Sequence, residues 1–133
     1  MKKKLVALLF AGLLAICLVG CSKPANLEEY FEKPAVKESM DQEVAAQKLA
    51  NSDTFSDIGY SISGNTFTFT YTSAMQIDNV PLVSSQLDAA LTQSSVEPFI
   101  NDLEDSTGFD DITIQYIYYN NDGSVLLDKS FTN

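Results

Sequence analysis

The side chains of this chain that could do covalent chemistry are few. It has two cysteines and no histidine, so a Ser or Cys nucleophile lacks the base that most often takes its proton. A Ser-Lys arrangement would have to draw on Lys33, Lys37, Lys48 or Lys129, and no spacing recommends one of them. Paired carboxylates of the glycosidase kind would come from Asp57, Asp110 and Asp111, all near expected strand starts. A domain this small leaves little room for the cleft they would need, and no catalytic residue is assigned. Without histidine or a usable thiol, the common zinc and copper sites are excluded. Calcium needs clustered oxygens, which Asp102, Glu104, Asp105, Asp110 and Asp111 bring into one short region. They lack the alternating spacing and glycine of an EF-hand loop. Asp105, Asp110 and Asp111 are the candidates there, against the plainer reading of a solvated acidic corner. No cofactor is expected.

One cysteine has a context. Lys2, Lys3 and Lys4 precede an uncharged run from Leu5 to Val19, which ends in Leu18-Val19-Gly20-Cys21. Charge followed by a short apolar run is the layout of an export signal. About twenty apolar residues are needed to cross a bilayer as a helix, so a permanent span is the weaker reading. Leu18, Val19, Gly20 and Cys21 resemble the bacterial lipobox. That resemblance implies a diacylglyceryl thioether on Cys21 and cleavage just before it. Two or more acyl chains anchor a protein stably where one would be marginal. Cys17 would leave with the signal, so the mature chain would have no disulfide.

The expected organisation is then a cleaved lipoprotein signal over residues 1–20, the lipidated cysteine and a short linker over 21–26, and one domain over 27–133. At about 3.3 Å per residue, that linker holds the domain within tens of ångströms of the bilayer. The formal net charge is −10, and loss of Lys2, Lys3 and Lys4 makes the remainder more acidic. Such a surface repels phosphate backbones, which excludes nucleic acid as a partner. The membrane would be reached by lipid rather than by charge.

The elements follow from periodicity. Asn26 with Glu29 reads as a capping box for a short helical turn from Leu27 to about Glu32, and Pro34 opens a longer helix. Its buried stripe is Val36, Met40, Val44 and Ala45. Ile58, Tyr60 and Ile62, then Phe67, Phe69 and Tyr71, alternate about Gly64-Asn65. The resulting hairpin pairs Ile62 with Phe67, Tyr60 with Phe69 and Ile58 with Tyr71. Asn79 and Pro81 open another helix, which Pro98 should kink or split near Ser95. Ile112 to Tyr119 and Val125 to Phe131 form a second hairpin, closed either by Asp122-Gly123 or by Asn121-Asp122-Gly123. The two loops differ in which face receives Leu126 and Leu127. The expected fold is α+β, two helix-hairpin (αββ) units forming a four-stranded antiparallel sheet with helices on one face.

The lipobox, Asn26-Leu27-Glu28-Glu29-Tyr30-Phe31, the alternating strand Phe67 to Tyr71 and the Asp122-Gly123 turn together resemble a family of small Firmicutes lipoproteins catalogued as a domain of unknown function. The resemblance implies a cell-surface lipoprotein of Gram-positive type and hands over no active site. The helix-hairpin arrangement is similar, at the level of fold, to PepSY and β-lactamase-inhibitor modules, which bind other proteins. The expectation is a non-catalytic, lipid-anchored module on the extracytoplasmic face of the membrane that binds a protein or peptide. Strand 112–119 is apolar on both faces, so Ile117, Tyr119 and Leu126 are the candidate patch. The alternative is an accessory lipoprotein that binds a small solute or a cation such as calcium.

Overall fold

A computed structural model describes residues 24–133. The expected signal, the recognition residues Leu18, Val19 and Gly20, and Cys21 lie outside the described residues.

Helix α1 (Leu27–Glu32) starts where expected: the Asn26 carboxamide accepts from the Glu29 amide at 2.9 Å. The Glu29 carboxylate reaches back to the Ala25 amide, one residue earlier than a capping box requires. Pro34 opens α2 (Pro34–Ala50), where its missing donor costs nothing. Val36 and Met40 are buried and Val44 packs against the core, but Ala45 faces solvent.

Strands β1 (Phe55–Ser63) and β2 (Thr66–Ser73) form the first hairpin in the expected register, Ile62 with Phe67, Tyr60 with Phe69 and Ile58 with Tyr71. Gly64 takes the positive φ of 58° that the first central position of this turn demands. The next helical region is two helices, α3 (Val80–Ala90) and α4 (Gln93–Thr107). The break falls at Leu91-Thr92, upstream of the expected site. Thr92 and Ser95 cap one another there, side chain to backbone in both directions, while Pro98 lies within α4.

Strands β3 (Thr113–Tyr119) and β4 (Val125–Thr132) make the second hairpin. Its loop is the three-residue one. Asn120 N–H donates to the Ser124 carbonyl at 2.7 Å, and Gly123 sits at φ 89°. A bulge between Tyr118 and Tyr119 on the ladder leaves Leu126 without a partner and turns it inward, 5% exposed, while Leu127 opposite Tyr118 also packs against the core.

The sheet runs β1-β2-β3-β4, and here the expectation of a fully antiparallel sheet is corrected. The hairpins are antiparallel, but β2 and β3 are parallel, from Thr66 opposite Thr113 to Thr72 opposite Tyr119. A parallel neighbour requires a crossover connection, which α3 and α4 supply. Helices precede a hairpin in each half of the chain, but not as the single-helix αββ units expected. Two helices precede each hairpin, and copies of one such unit laid side by side with helices on the same face would alternate in direction throughout. The domain is α+β with a mixed sheet.

One sheet face carries the core. Phe67, Phe69, Tyr71, Ile114, Tyr116 and Tyr118 meet Leu27, Phe31, Met40, Leu87, Val96 and Ile100 from the helices. Lys129 lies on that side of edge strand β4 and extends to the end of α3. Its ammonium donates to the carbonyls of Leu91 at 2.7 Å and Asp88 at 3.1 Å, and pairs with the Asp88 carboxylate at 3.0 Å. A cation there meets the orphan carbonyls and negative end of the helix. Lys129→Met should therefore lower stability by about 1–2 kcal/mol, measured by urea denaturation.

Candidate interaction surface

Because side chains alternate across a strand, burying one face of the sheet sends the other set outward. The ladders align that set in four rows: Ser61, Thr68, Gln115 and Ser130; Gly59, Thr70, Ile117 and Asp128; Asp57, Thr72, Tyr119 and Val125; and, beside the first turn, Ser63, Thr66, Thr113 and Thr132. The core side chains, and the helices packed on them, lie on the opposite face.

The first two rows are tied together. Thr68 donates to the Gln115 carboxamide oxygen at 2.9 Å, and Gln115 donates to Asp128 at 2.8 Å. Gly59 keeps its row flat, since a Cβ there would stand 3.0 Å from the Thr70 hydroxyl. In this polar setting Ile117 and Tyr119 are the large apolar groups of β3, both half-buried. Val125, opposite Tyr119, is 54% exposed and continues their patch. Leu126 does not belong to it, because the bulge places it in the core. Val125 was missed because its facing depends on loop length, which the turn residues left open between two values.

Both hairpin turns act as clasps. At one end the Asn65 carboxamide accepts from Leu27 N–H at 2.9 Å and donates to Asp111, while its carbonyl accepts from Thr113 N–H at 2.9 Å. Glu28 N–H and the Gly64 carbonyl meet at 2.9 Å, and the Glu28 carboxylate accepts from Gly64 N–H at 2.9 Å. The chain thus enters the fold beside the first turn. At the other end Asn120, 1% exposed, holds the segment between β2 and α3. Its oxygen accepts from the amides of Ile77 at 2.8 Å and Asn121 at 2.9 Å, and its nitrogen donates to the Ile77 carbonyl at 2.9 Å. Gln76 exchanges hydrogen bonds with the Asp122 amide and carboxylate. The Ser124 hydroxyl and amide hold the Asp122 carboxyl below its ordinary range. That stabilises the turn at neutral pH and is lost as acidification protonates the group.

The other residues singled out by type are dispersed. Asp57 pairs with Lys48 at 2.9 Å at the far end of the sheet from Asp111, about 20 Å away at the rise of a strand. That is too far for two carboxylates to share one glycosidic bond. Asp111 bonds Asn65, and Glu104 accepts from Asn133 at 2.6 Å. Among the described residues no three acidic side chains, Asp105, Asp110 and Asp111 included, come together in a way that could hold a metal ion. Lys33 lies over the Tyr30 ring, 5.5 Å from its centroid. Burial raises the phenol pKa of Tyr71, Tyr116 and Tyr118 well above the ordinary value, which keeps all three neutral. Tyr60 is raised too, by burial first and then by its 2.7 Å hydrogen bond to Asp41. A shallow groove of about 140 Å³ lies beside it, lined by Glu28, Phe31, Glu32, Lys37, Tyr60 and Ile62. It is smaller than the pockets that enclose drug-sized ligands.

A family profile described as "Domain of unknown function (DUF4854)" matches residues 27–131, from the first residue of α1 almost to the end of β4. The chain belongs to this family. No curated protein and no solved structure matches it. The DUF4854 match covers both clasps and all of the outward rows except Thr132, so the Ile117, Tyr119 and Val125 patch lies within the family domain.

Proposed function

We propose that the protein is a membrane-anchored, extracytoplasmic lipoprotein whose DUF4854 domain is a non-catalytic interaction module for a protein or peptide. The observation that carries this reading is the one-sided sheet. Helices pack on one face, and the other presents flat polar rows with an apolar patch of Ile117, Tyr119 and Val125. A mixed surface of this kind, with an aromatic among hydrogen-bonding groups, suits protein recognition. The lipobox-like residues Leu18 to Cys21 support the anchor. The chain enters beside Gly64-Asn65, so Tyr119 and Val125 would stand at the end of the sheet away from the bilayer.

A photo-crosslinking amino acid at position 119 of the full chain, expressed in cells, tests the reading. Discrete protein adducts from position 119, absent when the label is at exposed Ser85 on α3, are expected. No adduct from any surface position would overturn it. The double variant Ile117→Ala, Val125→Ala, made in the chain labelled at position 119, should reduce those adducts at least tenfold while costing about 1 kcal/mol or less of stability, because Ile117 is only half-buried and Val125 is exposed. Loss of folding would show instead that they belong to the core.

A further inference from the structure

The sheet has two edges, and they are treated differently. Along β4 the Leu126 carbonyl accepts from Ser84 of α3, and the Thr132 carbonyl accepts from Gln93 of α4 at 2.8 Å. Lys129 adds a charge to that edge. Edge strands are commonly protected by such covers and charges against pairing with other chains.

Along β1 a bulge lies between Phe55 and Asp57. Helices α1 and α2 pack beside the strand, with Lys48 paired to Asp57 and Asp41 bonded to Tyr60, but these side-chain contacts do not occupy the backbone groups of the later residues. From Ile58 to Ile62 the strand is regular, with neither lysine nor proline. Ser63 and Thr66 close a two-residue turn, so Ser61, Gly59 and Asp57 direct their backbone groups to β2. The N–H and C=O groups of Ile58, Tyr60 and Ile62 therefore point outward. Among the described residues no helix, loop or side chain bonds them. The groove of Glu28, Phe31, Glu32, Lys37, Tyr60 and Ile62 runs beside this open edge. An unpaired strand edge flanked by a side-chain groove is the geometry that strand addition uses: the backbone supplies affinity and alternate side chains supply specificity.

We infer that β1 takes an extended, net-cationic peptide segment as a fifth strand through Ile58, Tyr60 and Ile62, with its apolar side chains against Phe31 and Ile62. The occupant is cationic because the chain carries −10, and Glu28, Glu32 and Asp41 outnumber Lys37 on this side of the sheet, with Asp41 bonded to Tyr60. A second copy would bring the same excess of negative charge to the edge. The inference rests on the interaction-module reading and names the edge and the class of partner.

The test uses the full chain in nanodiscs and a short acetylated, amidated peptide of alternating valine and lysine. Two controls accompany it: the same peptide N-methylated at alternate residues, and its valine-glutamate counterpart. The valine-lysine peptide should bind in fluorescence anisotropy, with each control at least tenfold weaker. Binding should slow hydrogen exchange at the amides of Ile58, Tyr60 and Ile62. Absence of binding, affinity indifferent to N-methylation, or protection that falls only on β3 or β4 would overturn the proposal. Adducts from position 119 alongside a failed peptide test would leave the module reading standing and remove β1 as its edge. Peptide binding at β1 with no adducts from position 119 would uphold β1 as the contact and remove the patch of Ile117, Tyr119 and Val125 from it.

Discussion

Replacing Asn120 with alanine should destabilise the domain by about 2–4 kcal/mol, lowering the melting temperature by on the order of 10 °C. The side chain is 1% exposed and makes three hydrogen bonds of 2.8–2.9 Å, to both polar groups of the Ile77 backbone and to the Asn121 amide. Alanine removes all three at once. Ile77 is half-buried, and backbone groups deprived of a partner away from water carry their desolvation cost. The neighbouring Asn121→Ala is the control. Asn121 is exposed and donates to the Ser73 and Ala74 carbonyls at 3.2 Å each, where water can substitute, so the loss should be under half as large. Thermal denaturation of the two variants side by side makes the comparison. Equal losses would mean that Asn120 is no more than a turn residue.

The second large effect concerns the anchor. On the proposed reading, Cys21→Ser removes the thiol that accepts the lipid: serine has no sulfur to form a thioether, and its hydroxyl is too weak a nucleophile to form the corresponding ether. Each buried methylene contributes about 0.8 kcal/mol to membrane partition, so losing two or more acyl chains is close to an all-or-none change. Intact-mass measurement should show the lipid increment on the parent protein and not on the variant, and the processed variant should leave the membrane fraction. Residues 27–131, which the family profile spans, should fold unchanged in both. A processed Cys21→Ser protein that stays with the membrane would refute the lipoprotein reading.

What could be seen in the sequence beforehand was local. The register of the first hairpin follows from two agreeing signals, the Gly64-Asn65 turn and the alternation of Ile58, Tyr60 and Ile62 with polar residues. The outward facing of Ile117 and Tyr119 follows from the same alternation. The parallel contact of β2 with β3 had no local signal, because strand patterns look alike whichever direction a neighbour runs. Asn120 stands in the sequence only as the residue beside the turn. Its burial depends on the segment around Ile77 arriving from more than forty residues away. Leu126 was misplaced for a related reason: one residue more in the loop, together with a bulge, reverses its face.

The parallel junction also sets the order of assembly. Each hairpin closes over a two- or three-residue loop, an event of microseconds, whereas β2 finds β3 only after residues 74–112 have crossed the core face. In pulse-labelled refolding, the amides of Gly59 and Ser61, which face β2, should gain protection before those of Phe67, Phe69 and Tyr71, which face β3. In a chain threaded through a membrane N-terminus first, β2 would emerge with one edge bare. It would remain so until Tyr119 had followed, which on the proposed lipoprotein reading would place the period of greatest exposure to misassembly during export rather than after it.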